Sequence, residues 1–112
     1  ARFAKPIDID LINELVESHT PILTLEDHAL TGGFGSAVLE ACADRRLPTD
    51  NVHRHGHPAK WIYQASRAEQ LAEVGIDAAG VARRVREILS DAPGTQPTPE
   101  VHVQVPGPRA LR

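Results

Sequence analysis

The chain has 112 residues and a formal net charge of −3, a length that fits one domain. Its slight acidity, with a pI near 6.0, offers no electrostatic case for binding nucleic acid or an anionic membrane. No apolar run approaches the roughly 20 residues that cross a bilayer, and Lys5 and Asp8 interrupt any signal peptide. Since aromatic residues are 4% and hydrophobic residues 41% of the chain, we expect one small aliphatic core.

Cysteine and methionine usage points to the setting of the chain. The single cysteine, Cys42, cannot form an internal disulfide and falls on an apolar helix face, which predicts a buried thiol in a reducing cytoplasm. The sequence contains no methionine and starts in what reads as the tail of a strand at Ala1–Ala4. We therefore expect a domain cut from a longer enzyme.

The first predicted elements are a strand end at Ala1–Lys5, closed by Pro6, and a helix capped by Asp8. An Asp side chain at this position can accept a hydrogen bond from an unpaired helix amide. The buried face of the helix is predicted at Ile9, Ile12, Leu15 and Val16.

The next stretch, Pro21–Ala41, organises the chain. Ile22–Leu25 is β-branched and apolar, as in a buried strand, and Glu26–His28 is expected where that strand leaves the core. Gly32, Gly33 and Gly35 predict a tight turn. From Phe34 to about Arg46 the spacing becomes helical. A strand, a glycine turn and a helix in this order form half of a parallel α/β unit.

The remaining elements are shorter. A third strand is predicted at Val52–His55, ended by Gly56, and the aromatic cluster at 61–63 is expected to be a short strand or an irregular segment packed on the domain. Ser66 and Glu69 form a capping-box pattern.

The two final helices are separated by Gly75, a typical residue after a helix end, and Asp77 caps the second. Apolar spacing predicts inward faces at Leu71 and Val74 in the first helix. In the second it predicts them at Val81, Val85, Ile88 and Leu89.

Three segments resemble the C-terminal domain of 1-deoxy-D-xylulose-5-phosphate synthase, of the transketolase superfamily: ARFAKPID, LTLEDHALTGGFGSAVLEA and AEQLAEVGIDAAGV. The resemblance implies a three-layer α/β sandwich with a small, mostly parallel (mixed) sheet flanked by helices, over residues 1–90. It also implies a homodimeric, cytoplasmic parent that condenses pyruvate with glyceraldehyde 3-phosphate, using thiamine diphosphate and Mg²⁺ for isoprenoid precursor synthesis.

In that superfamily the diphosphate and metal are held by a Gly-Asp-Gly motif with a downstream Asn in the first domain, and a glutamate of the middle domain activates the coenzyme. The chain contains no Gly-Asp-Gly. The resemblance therefore implies a non-catalytic piece, inactive alone, that supports the middle domain and the dimer. We assign it no catalytic or cofactor residue.

The glycine turn is one candidate site. Gly33, Gly35 and Ser36 open a helix, whose exposed amides and dipole can bind an anion. The stretch lacks the full dinucleotide fingerprint and the lysine of a phosphate loop, so close helix packing is the simpler interpretation. Glu26, Asp27 and His28 similarly predict surface charge or a subunit contact, since no nucleophile stands nearby in sequence.

A second candidate is the HxHxH pattern of His53, His55 and His57. On a strand these side chains share a face, a spacing that transition metals can use. Gly56 and Pro58 disturb the strand, and no carboxylate or cysteine accompanies the set closely in sequence. Structural or interface histidines are therefore preferred over a metal site.

Residues 91–112 form a proline-rich tail by composition, in which the alternation of Val101–Val105 predicts a short strand. Two alternatives to the synthase domain remain open. One is a regulatory anion- or nucleotide-binding module at Gly33–Ser36. The other is the C-terminal domain of a transketolase or of a 2-oxoacid dehydrogenase β subunit.

Overall fold

The computed structural model describes residues 4–91. The elements in chain order are α1 (Ile9–Glu17), β1 (Ile22–Ala29), α2 (Phe34–Asp44), β2 (Val52–His57), α3 (Arg67–Val74) and α4 (Ala78–Ser90). Strands β1 and β2 pair in parallel, from Ile22 opposite Val52 to Leu25 opposite His55, with an irregularity before Ala29 meets His57. A parallel pair joined through a helix is the α/β arrangement that the sequence predicted.

Helices α1 and α2 cover one face of this sheet and form the core with it. Asp8 caps α1, as predicted, accepting a 3.1 Å hydrogen bond from the Leu11 amide. The buried side chains of this core are Ile12, Val16, Val38 and Cys42. Burial raises the pKa of the Cys42 thiol, because a thiolate loses its hydration in an apolar setting. The core is aliphatic, as the composition indicated.

Asn51 joins the end of α1 to the start of β2. Its Nδ2 donates to the carbonyl oxygens of Thr20 at 2.8 Å and Leu15 at 3.3 Å. Both carbonyls lie at or beyond the C-terminal end of α1, where helix carbonyls lack partners within the helix. Only 9% of Asn51 is exposed, so these bonds are shielded from water.

Helices α3 and α4 form the third layer, and their ends follow the predicted signals. Ser66 and Glu69 make the reciprocal capping box, Gly75 ends α3 with φ of 74°, and Asp77 accepts a 2.9 Å hydrogen bond from the Gly80 amide. His55 contacts the α3–α4 turn while its neighbour Arg54 contacts α2. Since successive strand residues point to opposite faces, the helices lie on both sides of the sheet.

Several boundaries differ from the sequence prediction. Glu26, Asp27 and His28 lie inside β1 rather than after it, because the strand continues through an irregular stretch until Ala29 pairs with His57. Gly56 likewise lies inside β2 and does not end it. Residues 4 and 5 form a bend instead of a strand. The remainder of the predicted first strand and the strand at 101–105 lie outside the described residues.

The predicted apolar faces of the second half were partly wrong. Trp61 and Tyr63 lie in an irregular segment and are 79% and 73% exposed, so they do not pack on the domain. Leu89 is 70% exposed, and α3 buries none of its residues. Periodicity identifies one side of a helix, but burial depends on what covers that side. Within residues 4–91, no helix is both long and apolar enough to cross a membrane.

Candidate functional site

The polar centre of the domain is Glu26 of β1, which caps helix α2 from a neighbouring element. Its two carboxylate oxygens accept hydrogen bonds from the amides of Phe34 at 2.7 Å and Gly35 at 3.0 Å. Gly33, the N-cap residue, has no side chain to do this. A carboxylate at a helix N-terminus satisfies unpaired amides and interacts favourably with the helix dipole. Glu26 is 9% exposed, so this charge is held almost entirely by the protein.

Three glycines make room for that carboxylate and its strand. A Cβ on Gly33 would overlap Glu26 Oε2, and a Cβ on Gly56 would lie 2.8 Å from Glu26 Cγ. A Cβ on Gly35 would lie 2.6 Å from Thr24 Oγ1. Distances below about 3 Å require a neighbouring group to move. Close approach of the turn, α2 and β2 to Glu26 is therefore the structural role of these glycines.

Beside Glu26, an arginine and a serine fasten the turn between β1 and α2. Arg54 Nη1 donates to the Leu30 carbonyl at 3.1 Å and to Ser36 Oγ at 3.0 Å. Ser36 Oγ donates to the same carbonyl at 2.8 Å and accepts from the Gly32 amide at 3.2 Å. Gly32 has φ of 74°, a conformation that glycine adopts without strain. Ser36 thus serves the turn rather than a ligand.

These contacts bear directly on the anion-site hypothesis. The amides of Phe34 and Gly35 already donate to Glu26. An incoming phosphate would have to displace this internal carboxylate and would meet its negative charge. Next to the turn lies an open cleft of about 520 Å³, whose polar side chains are Lys5, Glu26, His28, Ser36 and Glu40. Its charges are mixed, and they do not favour an anion.

The three histidines of β2 share a face, as their spacing predicted, but bond to different partners. His55 Nε2 lies 2.7 Å from the Gly75 carbonyl, to which it donates. His57 Nε2 lies 2.7 Å from Asp27 Oδ1. His53 is 9% exposed; burial lowers its pKa, the nearby Arg84 lowers it further, and Asp91 opposes the change. Nowhere in residues 4–91 do three or more His, Cys, Asp or Glu side chains converge so that they could hold a metal ion.

Asp27 connects both strands to α3. One carboxylate oxygen pairs with His57 and the other with Arg67, the first residue of α3. These hydrogen bonds, from Arg67 first and His57 second, lower the pKa of Asp27. Asp27 therefore acts as an exposed structural link, and Glu26 on the other face acts as a buried one.

The residues that the structure describes do not fit thiamine diphosphate or its magnesium ion. The buried carboxylate of the cleft, Glu26, and the nearby Arg54 already bond to the protein itself. The oxygen ligands that Mg²⁺ prefers do not form a cluster anywhere in the described range. We derive no catalytic step through this site.

Sequence reasoning missed the parts played by Glu26 and Arg54. The sequence indicates Glu26 as surface charge, a subunit contact or part of an anion site, and it gives no sign of the role of Arg54. One available signal was the glycine N-cap of α2: a helix start with no capping side chain must find an acceptor elsewhere. The acid at the end of the preceding apolar run was a candidate for that acceptor.

The fold and this site define a class: a three-layer α/β domain whose strand-to-helix turn is closed internally by a buried carboxylate. Comparison with known proteins gives the particular family. Residues 1–81 match the family described as "Transketolase, C-terminal domain", and the chain belongs to that family.

Several synthases are similar to this chain in sequence. A 1-deoxy-D-xylulose-5-phosphate synthase of Synechococcus sp. (strain JA-2-3B'a(2-13)) is 43% identical over 103 residues, which cover 88% of this chain and 16% of that protein. The Geobacillus thermodenitrificans synthase is 45% identical over 80% of the chain and 14% of its own length. The Bordetella avium synthase is 48% identical over 77% and 14%. The chain thus spans about a sixth or less of the relatives it matches.

Proposed function

We propose that this chain is the C-terminal domain of a 1-deoxy-D-xylulose-5-phosphate synthase and contributes structure rather than catalytic groups. The observation that carries the proposal is the match itself: similarity to synthases extends over 77–88% of the chain. The hydrogen bonds that Glu26 and Arg54 each make within the domain support a structural role, because groups bonded to their own domain are not available to bind a coenzyme.

The parent would condense pyruvate with glyceraldehyde 3-phosphate, and thiamine diphosphate would supply the carbanion chemistry. Coenzyme and Mg²⁺ would bind in domains outside this chain. The domain would pack against the middle domain and support a cytoplasmic homodimer. The exposed Trp61 and Tyr63 are suited to such a contact, since these residue types are enriched in protein interfaces.

A chimera tests the proposal. The 14% of the Geobacillus thermodenitrificans synthase that matches this chain is replaced by the corresponding part of this chain. We expect the chimera to remain dimeric and to keep synthase activity within about tenfold of its parent, a barrier change of about 1.4 kcal/mol. A matched chimera carrying Glu26→Gln, which weakens the fold without touching the coenzyme, should lose thermal stability before it loses turnover.

Two results would overturn the assignment. A folded chimera with no activity would show that the domain does not serve this reaction. Turnover of pyruvate by the 112-residue chain alone, with added thiamine diphosphate and Mg²⁺, would show that it does carry catalytic groups.

A further inference from the structure

Two aromatic rings stand close together on the surface, in the segment that joins β2 to α3. Trp61 and Tyr63 are 79% and 73% exposed, whereas Ile62 between them is half-buried. This alternation places both rings on the outer side of the segment, and two residues of chain separate their Cα atoms by at most about 7 Å. Neighbouring Trp and Tyr side chains with this exposure are typical of a surface that binds a partner.

The backbone that carries these rings is held against α3 on both sides of the pair. Before Trp61, Lys60 Nζ lies 3.2 Å from Glu73 Oε1. At Tyr63, the carbonyl oxygen accepts a 3.1 Å hydrogen bond from Gln70 Nε2. Neither contact uses a ring. The aromatic pair is therefore presented from a segment whose position is already set, which lowers the entropy cost of binding.

The chain itself contains a segment of matching chemistry. The proline-rich tail, residues 91–112, holds five of the nine prolines, at positions 93, 97, 99, 106 and 108, and beyond Asp91 it lies outside the described residues. Prolines favour the polyproline II conformation, which has little entropy left to lose on binding. Surfaces lined by aromatic rings are where such segments dock. The tail therefore fits the aromatic pair in chemistry.

The aromatic pair lies near the turn between α3 and α4. Glu73, in the last turn of α3, pairs with Lys60, the residue before Trp61. Helix α4 begins at Ala78, just past the C-cap of α3 at Gly75. It has 13 residues and a length of about 20 Å. A tail that runs back from the end of α4 to the pair must therefore span about 20 Å.

This span selects two of the prolines. From Asp91, a polyproline II segment with a rise of about 3.1 Å per residue covers about 19 Å by Pro97 and about 25 Å by Pro99. Reaching the pair with Pro106 or Pro108 would close a longer loop, whose entropy cost is greater. Pro97 and Pro99 are therefore the prolines best placed to meet the rings.

We propose that Pro97 and Pro99 dock on the rings of Trp61 and Tyr63, so that the chain covers its own aromatic pair. Docking removes apolar surface of both partners from water. A tethered segment acts at an effective concentration of about 1 mM, so a contact with a dissociation constant of about 1 mM is formed about half of the time. The cover does not depend on the synthase assignment. Another domain that binds the same pair would first have to displace it.

Fluorescence of Trp61, the single tryptophan of the chain, reports on this cover. Acrylamide quenching measures how freely a small solute reaches the ring. We expect the double variant Pro97→Ser/Pro99→Ser to show a red-shifted emission and a quenching constant about twofold higher than the natural chain, because a cover formed about half of the time is lost. Pro106→Ser/Pro108→Ser is the matched control: it removes two prolines from the same tail and should leave the quenching unchanged.

A double-mutant cycle tests the second ring. Tyr63→Ser removes the ring but keeps the carbonyl oxygen that accepts from Gln70. It should raise the quenching of Trp61 in the natural chain and have a smaller effect in the Pro97→Ser/Pro99→Ser background, since residues that act together are not additive. An effect of the same size in both backgrounds would show that the Tyr63 ring does not hold the prolines and would overturn the proposal.

Three further results would overturn it. Equal quenching of the natural chain and of the Pro97→Ser/Pro99→Ser variant would show that the tail does not cover the pair. An equal rise in the Pro106→Ser/Pro108→Ser control would show that the nearer prolines are not the ones that dock. Protection of Trp61 that disappears on dilution would show that a second copy covers the ring. Should Tyr63→Ser fail to fold, the two proline variants still decide the outcome.

Discussion

Replacing Glu26 with glutamine removes one of the two acceptors that hold the first turn of α2. The carboxylate now bonds to both the Phe34 and Gly35 amides. Glutamine keeps one oxygen but turns an NH₂ group toward the other amide, so two donors face each other. A hydrogen bond to a charged group contributes about 1.5–3 kcal/mol, and a charge at a partly buried helix N-terminus contributes up to about 2 kcal/mol. We expect Glu26→Gln to lower the free energy of unfolding by about 2–4 kcal/mol.

Urea denaturation at pH 7, followed by far-ultraviolet circular dichroism, measures this loss. With a slope of about 1–3 kcal/mol per molar urea, the midpoint should fall by about 1 M or more. Glu40→Gln is the matched control: it removes an exposed carboxylate from α2 itself and should change stability by no more than about 0.5 kcal/mol. If the two variants unfold at the same urea concentration, the carboxylate of Glu26 does not hold the helix.

Three further predictions use the same denaturation assay. Gly35→Ala should cost about 1–2 kcal/mol, because crowding at 2.6 Å from Thr24 Oγ1 outweighs the roughly 1 kcal/mol gain in helix propensity; a more stable variant would contradict the crowding. Asn51→Ala removes the side-chain donor to the shielded Thr20 carbonyl and one donor to the Leu15 carbonyl, which still accepts from the Thr20 amide. It should cost about 1–3 kcal/mol; no loss would mean that water replaces the amide. Arg67→Gln should destabilise more at pH 7 than at pH 3. The lowered pKa of Asp27 stabilises the fold above the unfolded pKa, near 3.9, and that contribution disappears as Asp27 is protonated. An equal loss of stability at both pH values would show that the ion pair with Asp27 is not its cause.

The helix ends were predictable from sequence because each depends on residues within one turn of each other. The Asp8 side chain accepts a hydrogen bond from the amide of Leu11, three residues ahead. Ser66 and Glu69 form reciprocal hydrogen bonds. Gly75 takes the left-handed conformation that its residue type permits. Such signals involve short segments of backbone and are little affected by the rest of the fold.

The bonds of the candidate site were not predictable in the same way. Glu26 reaches amides eight and nine residues away, and Arg54 reaches a serine 18 residues away. These distances in sequence are bridged only when β1, α2 and β2 have taken their places. Charge on residues 26–28 therefore looked like a strand exit, although the strand continues through these residues to the pair of Ala29 with His57.

The apolar faces of α3 and α4 show the limit of periodicity. The spacing of Val85 and Leu89 is that of an inward face, yet both are exposed. A hydrophobic stripe records that a helix side is suited to a contact but does not identify the contacting surface. In the sheet, the alternation of His53, His55 and His57 correctly predicted a shared face. Their separate partners depend on tertiary structure.

The carboxylate that closes the turn also offers a route to chemical complementation. Shortening Glu26 to glycine would leave two amides pointing into a vacated, anion-sized space between Gly33 and Gly56. Small carboxylates such as formate or acetate match the missing group in charge and shape. Millimolar concentrations of either should then restore thermal stability to this variant, while chloride at equal ionic strength should do less. The domain would become a protein whose folding is controlled by a soluble organic acid.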